Sequence, residues 1–506
     1  MKKRRIKYSI SFLLVFISML FFLSMPWQQR NFGSRTFDVL LFHIRVPLDG
    51  ADMSNFLSII PEVVVPALLL TALISLPFIK IGSYSLKILL NIKKRKIELD
   101  LFPSMFLKKY CFKISIALLF ASFVFVVYNI GLITFISNQI QVSTIFEDEY
   151  VCPDSVNLVF PEQKRNLIII NLESIENTFV PKRLGGAFYD DLIPEMTKLN
   201  QENISFSHND YIGGAVYAHG TSWTVAGLVA STAGIPIKVP IGGNNLGRTE
   251  YFLSNAVSLG TILEREGYNN MFMAGSDASF GGRRNFYEQH GNFEIFDYFT
   301  AVERGYIPED YFVWWGFEDR KLYEFAKGEL LELASRNEPF NFNMLTADTH
   351  FFDGYLDDYC PIVYQYENLI NVLACASGKL YDFINWIREQ DFYENTSIVI
   401  IADHLSMDQP FFDRQVDPNF ERTIFNTFIN PAATPVNTQN RVFTQMDFFP
   451  TMLASLGVEI EGDRLGLGTN LFSDRKTIPE EMGIETFNRE LARNSRFYND
   501  RFLFNR

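Results

Sequence analysis

Three stretches without a charged residue, Tyr8–Met25, Val63–Ile79 and Ile114–Ile136, lie near the start of this chain. A helix needs roughly 20 apolar residues to cross the hydrocarbon core of a bilayer, so each run is long enough or nearly so. The second extends back toward Phe56, with Glu62 near its interface. Their flanks are basic: Lys2, Lys3, Arg4, Arg5 and Lys7 precede the first. Lys80, Lys87, Lys93, Lys94, Arg95, Lys96, Lys108, Lys109 and Lys113 separate the second from the third. Excess Lys and Arg stay on the cytoplasmic side. Three crossings from an inside N-terminus then put everything after about residue 138 outside. A cleaved signal peptide is the competing reading of the first run, but no small-residue cleavage site precedes Pro26-Trp27. Between the first two runs, Thr36–Val46 is apolar around His43 and Arg45, and reads as an interfacial helix or as a loop packed on the bundle.

Charge divides the chain at the same place. Residues 1–140 hold 17 Lys+Arg against 6 Asp+Glu, a balance of +11, while the remaining 28 basic and 52 acidic residues give −24. The large acidic part excludes a non-specific nucleic-acid binder. Its apolar content excludes a disordered chain. We therefore expect a transmembrane region over 1–137 (spans about 8–26, 56–79 and 114–136), a connector over 138–164, and an extracytoplasmic domain over 165–506.

Within that domain, short apolar runs alternate with helix-like stretches. The runs are Asn166–Leu172, Asn270–Ala274, Phe340–Ala347 and Ser397–Ala402; amphipathic segments such as Leu259–Glu266 and Ala376–Gln390 fall between them. This alternation predicts an α/β fold with a mostly parallel central sheet covered by helices. In such sheets the chemistry sits past the carboxyl ends of the strands. Those positions hold Glu173-Ser174, Gly275-Ser276-Asp277, Asp348-Thr349-His350 and Asp403-His404.

Carboxylates and imidazoles suit a divalent ion, so Glu173, Asp403 and His404 are candidate ligands. Each alone could equally open a helix. Gly213–Gly227 (GGAVYAHGTSWTVAG) leads into an Ala/Val/Leu helix pattern. Its hydroxyls are either helix caps or a nucleophile aimed at an anion held by the helix N-terminus. A hydroxyl attacks only when a base or a metal activates it.

Seven motifs in order carry a specific resemblance: NLIIINLES, HGTSWTVAGLVASTAGIPI, SFGGRRNFYEQHGNF, WWGFEDR, LTADTHFFDGY, IADHLSMDQ and LGLGTNLF. They span roughly 165–472. The chain resembles the membrane phosphoglycerol transferases, which include enzymes that decorate periplasmic glucans and, more widely, lipoteichoic acid synthases of the sulfatase and alkaline-phosphatase superfamily. The resemblance implies one divalent metal, manganese or else magnesium, held by Glu173, Thr221, Asp403 and His404. Counting back from Gly234-Ile235-Pro236, it puts the nucleophile on Thr221 and not on Ser222 or Thr224. It puts a phosphoglycerol contact on His350 and a basic residue on Arg283, with Arg284 the near alternative. Trp314 and Trp315 line the cleft or belong to the core. Lipoteichoic acid synthases carry a Trp where this chain has Gly281, which favours the glucan-type branch.

The implied reaction takes phosphoglycerol from phosphatidylglycerol, through a glycerophospho-threonine, to a hydroxyl of a glycan or glycerophosphate acceptor, outside the cytoplasmic membrane of a bacterium. His350 and His219 are the candidate bases. A phosphoethanolamine transferase of the same superfamily and an inactive membrane-anchored assembly protein are the alternatives. His208 and His290 read as surface or packing residues. Of the four cysteines, Cys111 falls on the cytoplasmic side, Cys360 and Cys375 form the preferred disulfide outside, and Cys152 is left over.

Overall fold

The computed structural model describes residues 2–32, 37–45, 57–76, 86–92, 95–102, 105–239, 251–365 and 367–503. The ends of the expected second span (56 and 77–79) and Lys80, Lys93 and Lys94 lie outside them. The chain divides into two compact units, one of residues 1–37 and 53–136, the other of 38–52 and 137–506.

The first unit is mainly helical, its helices formed by the charge-free runs. Helix α1 (Lys2–Phe32) belongs to it, whereas the residues of α2 (Phe37–Arg45) from Asp38 onward fall in the second unit. Helix α3 (Val65–Ser75) follows a wide turn at Ile60–Val64, and α4 is Met105–Asn129. Two stretches, Ile6–Asn31 and Lys108–Asn129, are long and apolar enough to span a bilayer. The middle run forms a shorter apolar helix, Ile60–Ser75, so a third span is not established by helix length. Phe22 meets Phe125 at 5.4 Å between ring centroids, and Val15, Met19 and Ala67 form a small buried cluster. The basic stretch holds an antiparallel hairpin, Leu86–Ile92 with Arg95–Phe102, that its sequence did not announce.

The second unit is built on one six-stranded sheet. Its strands are β1 (Asn166–Leu172), β2 (Asn269–Ala274), β3 (Glu294–Phe296), β4 (Phe340–Leu345), β5 (Thr396–Ala402) and β6 (Asn426–Ile429), in the spatial order β3-β2-β4-β1-β5-β6. Every pairing is parallel except β5 with β6. The sheet is thus mixed but mostly parallel, as expected, with a four-residue strand running backward at one edge. Strands β1, β4 and β5 are buried along their whole length, which is why they read as apolar runs rather than as alternating patterns. Asparagines interrupt them: Asn341 donates to Asn270 at 2.8 Å, Asn343 donates to Asn341 at 2.9 Å, and Asn270 donates to the Gly260 and Gly291 carbonyls. A buried amide is tolerated when partners of this kind satisfy it. Helices α5 (Thr224–Ala233), α6 (Asp319–Ser335) and α7 (Asn368–Arg388) complete the elements that frame the site.

Candidate functional site

Parallel pairing brings the carboxyl ends of the strands to one edge of the sheet. Leu172 of β1 lies in register with Ala402 of β5, so the next residues of each strand, Glu173 and Asp403, stand side by side. Ligand atoms of Glu173, Asp403 and His404 all lie within 4.8 Å of one another, and all three residues are buried. His404 Nε2 is 3.5 Å from Glu173 Oε1 and 3.4 Å from Asp403 Oδ2.

The hydrogen bonds define what this cluster can hold. His404 Nδ1 donates to the Leu405 carbonyl at 2.8 Å, so the neutral ring presents the Nε2 lone pair to the two carboxylates. Asp403 Oδ1 accepts from the Ser174 and His404 amides at 2.9 and 2.8 Å, while Oδ2, buried, has no hydrogen-bond partner among the described residues. Glu173 Oε1 accepts from Ser174 Oγ at 2.6 Å. Ser174 sits at φ 59, where serine is rarely found, and its two bonds into the cluster hold it there. Burial, then the neighbouring Asp403, pushes the Glu173 carboxyl up; burial pushes Asp403 up to about 6. Two carboxylates and an imidazole lone pair packed this closely away from water are stable as donors to one divalent cation. The donor set fits such an ion.

The hydroxyl facing the cluster is that of Thr224, the first residue of α5. Its Oγ1 is 3.5 Å from Glu173 Oε2 and 3.4 Å from His404 Nε2. Thr221, on which the resemblance put the nucleophile and a ligand, is buried, and its Oγ1 donates to the Ala218 carbonyl at 2.9 Å. Helix α5 packs closely on the Asp403 turn at Gly227, where a Cβ would fall 1.8 Å from the Asp403 carbonyl oxygen. Thr224 opens that helix, whereas Thr221 lies in the preceding loop. A polar residue opening a ten-residue helix that is otherwise buried was the available signal.

The other expected residues separate into two groups. His350 is half-buried; its Nδ1 donates to the Phe351 carbonyl at 2.5 Å, its ring lies 4.6 Å from that of Trp315, and desolvation lowers its pKa. Arg283 is buried with its guanidinium on the Ser276 hydroxyl and the Asp277 and Phe280 carbonyls, so its positive charge is placed without a carboxylate ion pair. Burial lowers its pKa, and Asp277 and then Glu173 oppose that. Trp315 also packs at 5.4 Å on Phe280. Arg284, in contrast, is committed to Asp297 at 2.6 Å and Glu288 at 3.2 Å. Trp314 donates to the Ala347 carbonyl, and His219 pairs with Asp38 at 3.2 Å. His290 is buried against the Ala256 and Phe252 carbonyls.

Asp348 is occupied structurally. It accepts from the Asp319 amide at the start of α6, Asp319 accepts from the Ala347 and Asp348 amides, and Lys379 of α7 bonds Asp348 at 2.9 Å. This network, which the sequence did not reveal, fixes the loop that carries His350. The same loop is tied to α7 by a disulfide between Cys360 and Cys375. Cys152 is a thiol with Arg501 Nη2 2.9 Å from its sulfur.

A sulfatase family model matches residues 165–458, more than half of the chain, and covers the cluster of Glu173, Asp403 and His404 together with Thr224, Arg283 and His350. The chain belongs to the sulfatase family. The chain is 32% identical, over 255 residues, to phosphoglycerol transferase I of Escherichia fergusonii and of Citrobacter koseri. The match takes in 49% of this chain and 32% of theirs, so the chain spans about a third of the length of these relatives. Among solved structures, the lipoteichoic acid synthase LtaP from Listeria monocytogenes is similar at 19% identity and TM-score 0.48, over 63% of this chain and 79% of that one. The phosphoethanolamine transferase EptA from Neisseria meningitidis is similar at 12% identity and TM-score 0.48, over 88% and 84%.

Proposed function

We propose that this sulfatase-family chain is a membrane-anchored phosphoglycerol transferase, with Thr224 as its nucleophile. The observation that carries this reading is the Thr224 hydroxyl set against Glu173 and His404 beside a buried, unpartnered Asp403 oxygen. Glu173, Asp403, His404 and Thr224 would hold the metal, manganese or magnesium, which when bound lowers the pKa of the hydroxyl and offsets phosphate charge. Thr224 Oγ1 attacks the phosphorus of phosphatidylglycerol, the bond to diacylglycerol breaks, and diacylglycerol leaves with a proton. The glycerophosphate is then on Thr224. Arg283 and the amide end of α5 stabilise the equatorial oxygens, the main source of rate in phosphoryl transfer. Because Nδ1 of His350 is a donor, its Nε2 is free to take the proton of the incoming glycan or glycerophosphate hydroxyl in the second step.

The two long apolar helices support anchoring, and we take the middle run as a third crossing, with the N-terminus in the cytoplasm and the sulfatase-like domain outside. The Cys360–Cys375 disulfide supports an oxidising compartment for that domain. The test is diacylglycerol release from phosphatidylglycerol and from phosphatidylethanolamine by the purified full chain. Thr224→Ala should abolish release, whereas Thr221→Ala should retain most of it. The reverse pattern would return the nucleophile to Thr221, and turnover of the ethanolamine lipid alone would sink the donor assignment.

A further inference from the structure

Helix α2 lies in sequence between the first two apolar runs, yet from Asp38 onward it belongs to the compact unit that contains the site. It is not a loop left over from the membrane region. Val39 and Phe42 are buried in the same apolar cluster as Trp223, Val225 and Ala226, which surround Thr224 in sequence. The Phe42 ring lies 4.9 Å from the Trp223 ring. One turn earlier on α2, Asp38 Oδ2 lies 3.2 Å from His219 Nε2, with both side chains largely shielded.

These contacts meet the loop that delivers the nucleophile. Trp223 is the N-cap residue of α5 in extended conformation, and its side chain makes no capping bond. The loop needs an outside support to fix where α5 begins. On one side Asn488 supplies it, accepting from the His219 amide at 2.7 Å and donating to the Tyr217 carbonyl at 3.1 Å. On the other side stand Asp38 and Phe42. The Asp38–His219 contact holds whether the imidazole is neutral or charged, since Nε2 can donate in either state.

We propose that α2 is a strap that positions the nucleophile, with Asp38 and Phe42 as positioning residues for Thr224. The catalytic geometry then depends on a segment encoded ahead of two of the three apolar runs. This rests on the Thr224 reading above, but one arm of its test does not.

The experiment uses the full chain in detergent with Asp38→Ala, Phe42→Ala and the conservative Phe42→Leu. Hydrogen–deuterium exchange over residues 217–223 should rise about tenfold or more in the first two, with exchange in β1 and β5 unchanged. Diacylglycerol release should show kcat lowered about tenfold or more with KM within about twofold, because a displacement near 1 Å can cost that much. Phe42→Leu should recover most of both. Unchanged exchange in Asp38→Ala and Phe42→Ala, or raised exchange with full kcat, overturns the strap. If the unmodified chain turns over neither phospholipid, the phosphoglycerol reading falls and the exchange result alone decides this one.

Discussion

Thr221 and Thr224 are less than one helical turn apart, and the difference is decided by one carbonyl. Thr221 spends its hydroxyl on Ala218, while Thr224 has the cluster in reach. A sequence motif counts residues but does not say where the helix starts, so the grouping of Glu173, Asp403 and His404 was legible and the hydroxyl that faces them was not. The three ligand candidates were easier because each directly follows or lies next to the end of an apolar strand, and parallel register brings strand ends together. Asp403 tests the price of that arrangement. Its Oδ1 bonds would survive in Asp403→Asn, but the buried negative charge beside Glu173 would go. We expect metal-free Asp403→Asn to melt higher than the metal-free parent, and manganese affinity by titration calorimetry to drop at least about tenfold. A lower melting point in the metal-free state would contradict the repulsion inferred here.

At the scale of elements, α5 and the sheet are held together by a contact that only glycine allows. Gly227→Ala would drive a Cβ into the Asp403 carbonyl, from which the whole helix must retreat. Since Thr224 moves with it, kcat should fall by about two orders of magnitude with little change in far-ultraviolet circular dichroism. Retained turnover would show that α5 has slack. The asparagine ladder behaves differently. Asn341→Ala removes the acceptor of Asn343 and the donor to Asn270 at once, leaving two buried polar groups unpaired at about 1–3 kcal/mol each. Chemical denaturation should report that loss, and a change under about 0.5 kcal/mol would mean the amides find other partners. Long buried strands were readable because they are apolar on both faces. The antiparallel β6 was not, being four residues (NTFI) with two polar side chains. Helix α2 was legible as apolar, but its partner, Trp223, is some 180 residues away, and no local pattern states which surface an amphipathic segment will meet.

The whole chain joins a +11 part to a −24 part, and the acidic part buries two carboxyl groups side by side at Glu173 and Asp403. That placement makes stability depend on pH and on the cation together. In the metal-free fold, burial raises Asp403 from an ordinary 3.8 to about 6. An acid whose folded pKa lies above its unfolded value holds its proton longer when folded, so its contribution is fully present below about pH 4. It is lost as pH rises through about 6. Two units correspond to roughly 3 kcal/mol, and Glu173 shifts in the same direction. A bound divalent ion replaces the proton and restores that energy at neutral pH, but competes with the proton at low pH. The melting point with manganese should therefore exceed that with a chelator by several degrees at pH 8, and the gap should close as pH falls from 6 toward 4. Asp403→Asn should shrink the gap at pH 8 and flatten its pH dependence. A gap that stays constant from pH 8 to pH 4.5 would place the cation, if there is one, away from this cluster, and with it the chemistry assigned to Thr224.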